Sequence, residues 1–490
     1  MSAQYRRTAD VLKEGQTLHQ EAIECQHTDP PKFEQLMAKA EYLYHQYLNT
    51  NPADPNVVHL LGSMFMIRGW NGLATMMFKA VVDAVPTFGP AWNHLGICLQ
   101  REHRHAAANV AFEQAEIYLK DDPNWADIPA NRAGSYINVG EPDAALAHAE
   151  RALAHSPNNQ HARWHKALAL LELQRWTPGW DYWEARKHTG ANTSFKPRNY
   201  HGDTETPEWD GSPGKNLIVV HGEQGLGDEI MFASCLPDLV AAHPKTRFVL
   251  ECNPRLADLF QGSFPTVEVH GTHKRDGREW LKDGELPDAK IALGSLPKLY
   301  RPDDKSFPGR PFIVPDNGRA TEWADKLAAL PPRRNIGVAW QGGAQSTRVD
   351  LRSIRLGGMH PIIEQDANWI SLQYTPTAQA ECDEMFESTG IRVHHWEKGA
   401  RGDDMADQAA LVSCLDAVVT VCQTCVHVAG GLGIPTMVLV PTGPSWRYGM
   451  VGNMPWYRSV DLYRQTATGW GDAVDAVAER IARLTAKRAA

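Results

Sequence analysis

The sequence predicts an α-helical solenoid followed by two parallel, doubly wound α/β domains. Apolar positions recur every 34 residues before about residue 190, and short β-branched runs alternate with helical stretches after about residue 216. A Pro-rich break at Pro331-Pro332 divides the second part. We therefore predict helical repeats over 1–194, a linker at 195–215, and α/β domains over 216–330 and 331–490.

The composition is that of a globular chain without an excess of basic residues. Of its 490 residues, 43% are hydrophobic and 22% are charged, which excludes a disordered or fibrous protein. The net charge of -9 argues against a nucleic-acid partner. No run approaches the roughly 20 apolar residues of a membrane span, and the start, MSAQYRRTADVLKEG, has no apolar signal run. We expect a cytoplasmic protein whose eight cysteines remain thiols.

Pairs of helices account for the 34-residue interval. Leu61-Gly62 and Leu95-Gly96 anchor two repeats, and Ala133-Gly134 opens a third. Small and aromatic positions follow each anchor, namely Phe65, Ala74, Phe78 and Val81, then Leu99, Ala108, Phe112 and Ala115, then Ile137, Ala145, Ala149 and Ala152. This pattern resembles the tetratricopeptide repeat (TPR), whose small and aromatic positions form the core. Its stacked helices create a groove that binds a peptide or protein.

An irregular fourth repeat carries a dense aromatic cluster. It includes Trp164, Trp176, Trp180, Tyr182 and Trp183, which we interpret as a seam against the next domain and not as a ligand cage. The stretch that follows, FKPRNYHGDTETPEWDGSPGKN, is polar and contains several Pro and Gly residues, as is typical of a linker.

Eight strands are predicted in the α/β part. Strand and helix alternate, which indicates parallel sheets, and the Pro-rich break indicates two of them. The strands are 217–220, 247–251, 267–270 and 289–293 before the break, and 335–340, 369–374, 417–421 and 436–440 after it. A final helix, 471–488, presents Val474, Val477, Ile481 and Leu484 on one face and should pack on the body.

The loop HGEQGLGDEI follows the first strand and leads into a helix near Asp228. Its glycine spacing is G-x-x-G-x-G, which matches neither the dinucleotide fingerprint nor the phosphate-binding P-loop. Ligands of doubly wound sheets bind beyond the carboxyl ends of the strands. We expect Gly225 and Gly227 to let backbone approach a ligand there, with the Asp228 carboxylate at the mouth of the site.

The loop TVCQTCVHVAGGLGIP raises the question of what its C-x-x-C pair does. It predicts a helix from near Thr424 to Gly433, whose free N–H groups suit a phosphate. Covalent haem would need a histidine directly after Cys425, where Val426 stands, and structural zinc would need further ligands. A redox pair at a helix start stays open, but we favour two small residues that line the helix start.

A series of motifs resembles the tetratricopeptide-linked glycosyltransferases related to the lipopolysaccharide heptosyltransferase family. The series is GEQGLGD, VAWQGG, LRS, SLQ, MADQAALVSCLDAVVTV, TCVHVAGGLGIP and the segments SWRYG and PWYRSVDLYRQ, so it covers essentially the whole chain. The resemblance implies the GT-B fold, in which two Rossmann-like domains face each other. The acceptor lies mostly on the first domain and the nucleotide-sugar on the second, and some relatives modify flagellin or other proteins. Members usually have Asp-Thr-Ser where this chain has Cys422-Gln423-Thr424.

The resemblance and the residue chemistry together give the candidate site. Asp228 ends the motif whose aspartate is the family's proposed base, although an aspartate at a helix start can also act as a cap. Arg352 suits a phosphate because its fork binds oxygens bidentately. The expected donor contacts are Gln341, Arg352, Gln373, Thr424 and His427, with Arg348 and Trp446 as further candidates.

The resulting hypothesis is a glycosyltransferase that needs neither a metal ion nor a cofactor. It would transfer a sugar from a nucleotide-sugar to an acceptor, a flagellin-like protein recruited by the TPR groove. The alternative is a catalytically silent TPR/GT-B scaffold that binds protein partners. A nicotinamide oxidoreductase is excluded by the glycine spacing.

Overall fold

The computed structural model describes residues 3–26, 28–189, 198–201, 204–272, 280–281, 285–343 and 349–486. The chain divides into two compact units, a helical unit (Met1–Lys166) and an α/β unit (Ala167–Ala490). Together they confirm the predicted fold class, a TPR-type helical solenoid followed by a GT-B α/β body. Among the described helices, none combines the length and the apolar character that crossing a membrane requires.

Antiparallel helix pairs build the helical unit. Each helix packs on its sequence neighbours, as expected of stacked repeats. The helices are α1 (Ala3–Cys25), α2 (Pro30–Leu48), α3 (Pro55–Ile67), α4 (Asn71–Ala84), α5 (Gly89–Arg101), α6 (His105–Tyr118), α7 (Asp127–Val139) and α8 (Pro142–His155). The boundary between the two units falls within α9 (Gln160–Glu172).

The anchor glycines explain the 34-residue interval physically. A Cβ at Gly62 would lie 2.8 Å from the ring of Phe78, and one at Gly96 would lie 2.5 Å from the ring of Phe112. The two helices of a repeat therefore touch through a glycine and a phenylalanine, and any side chain at the glycine would push them apart. Both phenylalanines are fully buried, which confirms the predicted core.

Two parallel sheets form the centre of the α/β unit. The first contains β1 (Leu217–His221), β2 (Arg247–Cys252), β3 (Glu268–Gly271) and β4 (Ala289–Ala292) in the order β3-β2-β1-β4. The second contains β5 (Arg334–Ala339), β6 (Ala367–Ser371), β7 (Val393–His395), β8 (Ala417–Val421), β9 (Thr436–Val440) and β10 (Val460–Arg464) in the order β10-β9-β8-β5-β6-β7. All eight predicted strands are present. The strands β7 and β10, at the two edges of the second sheet, were not predicted.

Helices cover the sheets. They are α10 (Trp176–Trp183), α11 (Leu226–Ala233), α12 (Leu236–Ala242), α13 (Ala257–Ser263), α14 (Leu296–Tyr300), α15 (Asn317–Ala328), α16 (His360–Ile363), α17 (Ala378–Thr389), α18 (Glu397–Ala400), α19 (Met405–Ser413), α20 (Thr424–Leu432) and α21 (Gly471–Ala486). As predicted, Val474, Val477 and Ile481 of α21 are buried in the core of the second sheet. Helix α15 precedes β5 in sequence and packs on α19.

The tryptophans of α10 pack on the α/β body. The ring of Trp176 contacts Phe307, while those of Trp180 and Trp183 contact Trp446. The indole N–H groups of all three tryptophans donate to the segment that follows β4, namely to Asp304 Oδ1 and to the carbonyls of Arg301 and Gly294. The predicted aromatic seam is therefore confirmed for these three side chains, which bury apolar area and satisfy their polar tips at once.

The described part of the predicted linker is packed against the first sheet. Tyr200, Thr206 and Trp209 are buried, and the backbone N–H of Trp209 donates to the carbonyl of Lys290 on β4 at 2.8 Å. The Tyr200 hydroxyl donates to Glu251 Oε2 at 2.6 Å. Residues 195–197 and 202–203 of that linker lie outside the described residues, and the domain bounds stay predictions.

Candidate active site

The starts of α11 and α20, helices that follow strands of different sheets, lie against each other. Each helix follows the carboxyl end of a central strand, α11 after β1 and α20 after β8. A Cβ at Gly227 would lie 2.8 Å from His427 Cδ2 and 3.5 Å from the Cα of Thr424. Gly227 was predicted to let backbone approach a ligand, which stays a prediction; in the structure it packs against the other α/β half. This packing brings both helix N-termini to one place.

Asp228 lies at this junction and has two partners. Its Oδ2 accepts the Gly225 N–H at 3.4 Å, a long capping contact. Its Oδ1 forms an ion pair with Arg447, which belongs to the opposite half. Asp228 and Arg447 side chains are 18% and 15% exposed, so the pair is largely shielded from water but reachable. Both the cap and a role in the cleft are therefore compatible with its position.

The neighbouring carboxylates of the GEQGLGDE motif point away from the cleft. Glu223 is buried against Arg186, with Oε1 and Nη2 2.6 Å apart, and accepts the Gly294 N–H at 3.0 Å. Glu229 is buried and accepts the Asn253 N–H at 2.9 Å. Of the three, Asp228 is the carboxylate that the motif leaves at the junction.

The turn before α11 differs from expectation in one detail. A glycine would be expected to supply a left-handed residue, but Gln224 has that conformation, with φ of 62°, and Gly225 has φ of −103°. A non-glycine residue at positive φ stores strain, which often marks functional loops.

Thr424 and His427 lie on the first turns of α20, as predicted. Thr424 is the first helical residue and is half-buried. His427 is buried, and its Nδ1 lies 3.1 Å from the Tyr457 hydroxyl. Burial lowers the pKa of His427 to about 3, and the charge of Arg447 adds to this effect. His427 is therefore neutral at pH 7, so the positive charge here comes from arginine.

The C-x-x-C pair lies in apolar surroundings. Cys422 and Cys425 are buried, and burial raises the pKa of each thiol to about 12. For Cys422 the positive charges of Arg352 and Arg447 only partly oppose this rise. A redox pair needs a lowered thiol pKa, so the interpretation as small residues lining the helix start is favoured. Within the described ranges, no group of three His, Cys, Asp or Glu side chains could hold a metal ion.

Gln341 and Gln373 hold one loop together. The Gln373 Oε1 accepts the backbone N–H groups of Trp340 and Gln341, each at 3.0 Å, and its Nε2 donates to the Gln341 carbonyl at 3.0 Å. Gln373 is fully buried, so in this structure it positions the loop. Gln341 is half-buried and lines a cavity of about 780 Å³ together with Ser353 and Arg355. Gly342, next in the loop, packs against the carbonyl of Cys422.

The remaining predicted donor contacts fall in different places. Arg352 is half-buried and lies near Cys422 and Tyr448, where its positive charge affects both groups. Trp446 is buried in the aromatic seam, against Trp183 and Phe232. Arg348 lies outside the described residues.

Arg447 is the site residue that sequence reasoning missed. Its guanidinium pairs with Asp228, donates to Ser445 Oγ at 2.5 Å, and lies 5.3 Å from the centre of the Trp446 ring. The SWRYG segment contains this arginine between two aromatic residues. SWRYG is one of the motifs that carry the resemblance to nucleotide-sugar enzymes, so a basic residue in it could have been predicted to bind phosphate.

Comparisons with known proteins add the following findings. No protein-family model matches the chain. Protein FlbA of Caulobacter vibrioides is 29% identical over 411 residues, which cover 80% of this chain and 66% of FlbA, just under two thirds of its length. The solved ADP-heptose lipopolysaccharide heptosyltransferase II of E. coli is 14% identical and matches with a TM-score of 0.41, over 56% of this chain and 100% of that chain. A thermophilic TPR protein of Thermus thermophilus is 19% identical, with a TM-score of 0.29, over 36% of this chain and 92% of that chain.

The elements themselves define the class of architecture. Helical repeats precede two parallel sheets whose central strands lead into facing helix starts, which is a TPR array joined to a GT-B body. The chain resembles the TPR-linked glycosyltransferases in this combination.

Proposed function

We propose that this chain is a glycosyltransferase that moves a sugar from a nucleotide-sugar to an acceptor protein bound by its helical repeats. One observation carries the proposal. The start of α11, with Asp228, and the start of α20, with Thr424 and the nearby Arg447, meet across the two α/β halves. A carboxylate on one side and phosphate-binding groups on the other are what transfer from a phosphate leaving group requires.

The second half is suited to the donor. The free N–H groups at the start of α20 and the Thr424 hydroxyl can bind phosphate oxygens. Arg352 and Arg447 supply positive charge close to that helix start. The cavity beside Gln341 lies within the range of nucleotide-sized pockets. Gln373 would then act by holding the loop of Trp340 and Gln341, and Trp446 by holding the turn that carries Arg447. His427 would act as a neutral hydrogen-bonding group.

The reaction we propose uses Asp228 as the base. The acceptor hydroxyl oxygen forms a bond to the anomeric carbon of the sugar, and the bond from that carbon to the phosphate oxygen breaks. The nucleotide leaves with the bonding electrons, and the hydroxyl proton passes to Asp228. The helix start and the arginines stabilise the charge on the leaving nucleotide, so we propose that no metal ion is needed.

The acceptor is assigned to the repeats because stacked helix pairs offer an extended binding surface. The class we propose is a protein of the flagellin type, whose side-chain hydroxyls would accept the sugar. Chemically, a serine or threonine hydroxyl is the nucleophile that requires a base such as Asp228.

The test has two stages. Thermal shift of the purified chain with ADP, GDP, UDP and CMP should identify a stabilising nucleotide, and the corresponding sugar nucleotides are then assayed for turnover with and without EDTA. Asp228→Asn should stay folded, because asparagine also caps helices, with a melting temperature lowered by the loss of the Arg447 ion pair alone. Turnover should fall about 10²-fold or more, because asparagine takes no proton. A chain that binds a protein through its repeats but no nucleotide would be the silent scaffold. Turnover abolished by EDTA would contradict metal independence.

A further inference from the structure

The ion pair between Asp228 and Arg447 conflicts with a free catalytic base. The carboxylate contacts the guanidinium through Oδ1, and Oδ2 faces the Gly225 N–H at 3.4 Å. A base must reach the acceptor hydroxyl within hydrogen-bond distance. In this arrangement the oxygen that faces the opposite half is paired with Arg447, so release of Arg447 would open that oxygen to the acceptor hydroxyl.

Arg447 has a hydrogen-bond donor available for a second anion. Among the described residues, Asp228 is the one carboxylate that forms an ion pair with it. Its Nη1 donates to the Ser445 hydroxyl, while its Nε is buried and has no hydrogen-bond partner among the described residues. A buried N–H without a partner is costly, so this donor favours a ligand oxygen.

The described side chains around Arg447 add positive charge. Its charge is felt at Cys422, His427, Tyr448 and Tyr457, all close to the start of α20. Burial keeps these four groups neutral, since it raises the pKa of Cys422 and of both tyrosines and lowers that of His427. Arg352 acts on Cys422 and Tyr448 as well. Arg464, which feels the charge of Glu172, acts on Cys422 too. Among the described residues, Asp228 and Glu172 therefore face three arginines, and a negatively charged ligand fits the excess.

We propose that Arg447 is a shared cation, which binds Asp228 in the free protein and the diphosphate of the donor in the complex. This inference rests on the proposed function and deepens it. Donor binding transfers Arg447 from the carboxylate to phosphate oxygens and leaves Asp228 free to take the acceptor proton. Arg447 keeps an anionic partner in both states, so the exchange avoids the large penalty of an unpaired buried charge. The base becomes available only when a donor is present.

A binding cycle tests the exchange without requiring the acceptor. Affinities of ADP, GDP and UDP are measured by calorimetry for the parent, Asp228→Asn, Arg447→Ala and the double variant. Because Asp228 competes with the diphosphate for Arg447, Asp228→Asn should bind the preferred nucleotide about 5-fold more tightly. Arg447→Ala should weaken binding about 10-fold or more. In the Arg447→Ala background, Asp228→Asn should not change the nucleotide affinity, because the arginine for which the carboxylate and the diphosphate compete is absent.

Asp258→Asn is the matched control. Asp258 of α13 lies 3.3 Å from Arg319 of α15, which precedes the predicted break but packs on α19 of the second half. This second, more exposed ion pair therefore also connects the two α/β halves. If it tightens binding as much as Asp228→Asn does, the effect is a general loosening of the halves and the shared-cation proposal is overturned. Unchanged or weaker binding by Asp228→Asn overturns it as well. If Arg447→Ala does not fold, Arg447→Gln takes its place, and the sign of the Asp228→Asn effect still decides.

The two proposals fail differently. A parent protein that binds none of ADP, GDP, UDP and CMP contradicts the proposed function and the shared cation together, whereas a parent that binds CMP alone overturns only the diphosphate partner of Arg447. A parent that binds one of the nucleoside diphosphates, with no coupling between positions 228 and 447, overturns the shared cation alone.

Discussion

Gly227→Ala should force apart the two helix starts that form the candidate site. The new Cβ would lie 2.8 Å from His427 Cδ2, whereas ordinary contacts begin at 3.4 Å, so the groups must separate by about 0.6 Å. His427 has little room to yield, because it is buried and its Nδ1 lies 3.1 Å from the Tyr457 hydroxyl. The movement is therefore expected in α11 itself, which carries Asp228.

The expected magnitudes follow from two opposing terms. Overpacking of this kind costs about 1–3 kcal/mol, and replacing a helical glycine by alanine returns about 1 kcal/mol. We expect a net loss of up to about 2 kcal/mol in the free energy of unfolding. A shift approaching 1 Å between reacting groups can reduce turnover about 10²-fold. Turnover should therefore suffer far more than stability.

Melting temperature and sugar-transfer rate are measured together on the purified variant. Gly262→Ala in α13 is the matched control, because the nearest atom to its new Cβ is 4.0 Å away, and it should be neutral or slightly stabilising. Adding His427→Ala to Gly227→Ala should restore part of the melting temperature by removing the ring. If Gly227→Ala melts and turns over like the Gly262→Ala control, the two helix starts do not touch as described.

Three further predictions address other parts of the chain. Cys422 and Cys425 should resist iodoacetamide at pH 8 in the folded protein, because burial raises the pKa of each to about 12; rapid alkylation of either, read by mass spectrometry, would reopen the redox interpretation. A fragment from Ala167 should be soluble and bind nucleotide but not modify the native acceptor, whereas one from Thr204 should aggregate because it loses α10. Equal solubility of the two fragments would contradict the seam. Stability of the chain should fall as the pH drops from 6.5 towards 4, since the unfolded state then binds protons that buried histidines of the folded chain do not, four of them in the helical unit. Circular-dichroism melts should reveal this loss, and it should shrink in His→Gln variants; a loss of the same size in those variants would refute it. Burial lowers the pKa of these four histidines to about 4, namely His59, His94, His148 and His165.

Local pattern was sufficient for most of the fold. The 34-residue interval identified the repeats because each glycine and its phenylalanine lie within one helix pair, as for Gly62 and Phe78. The central strands were predicted because they are buried on both faces and form continuous apolar runs. Thr424 was correctly placed at a helix start because Gly433 and Pro435 mark the end of the same helix.

The two edge strands of the second sheet lack this signal. β7 contains three residues, VHH, and β10 reads VDLYR, with only the first residue of each buried. An edge strand has one partner and one exposed side, so it needs no apolar run and resembles a loop in sequence. Its existence depends on the strand beside it.

The candidate site likewise has features set by local sequence and features set by tertiary packing. The sequence by itself determined which loops carry it, because glycines, the helix starts and the motif order are local properties of the chain. Only the tertiary structure decided that Asp228 meets Arg447, which is 219 residues away, that Gln373 turns inward to hold a loop, and that Trp446 belongs to the aromatic seam. Side chains so distant in sequence meet only through the packing of two whole sheets and their helices, and local periodicity carries no record of that packing.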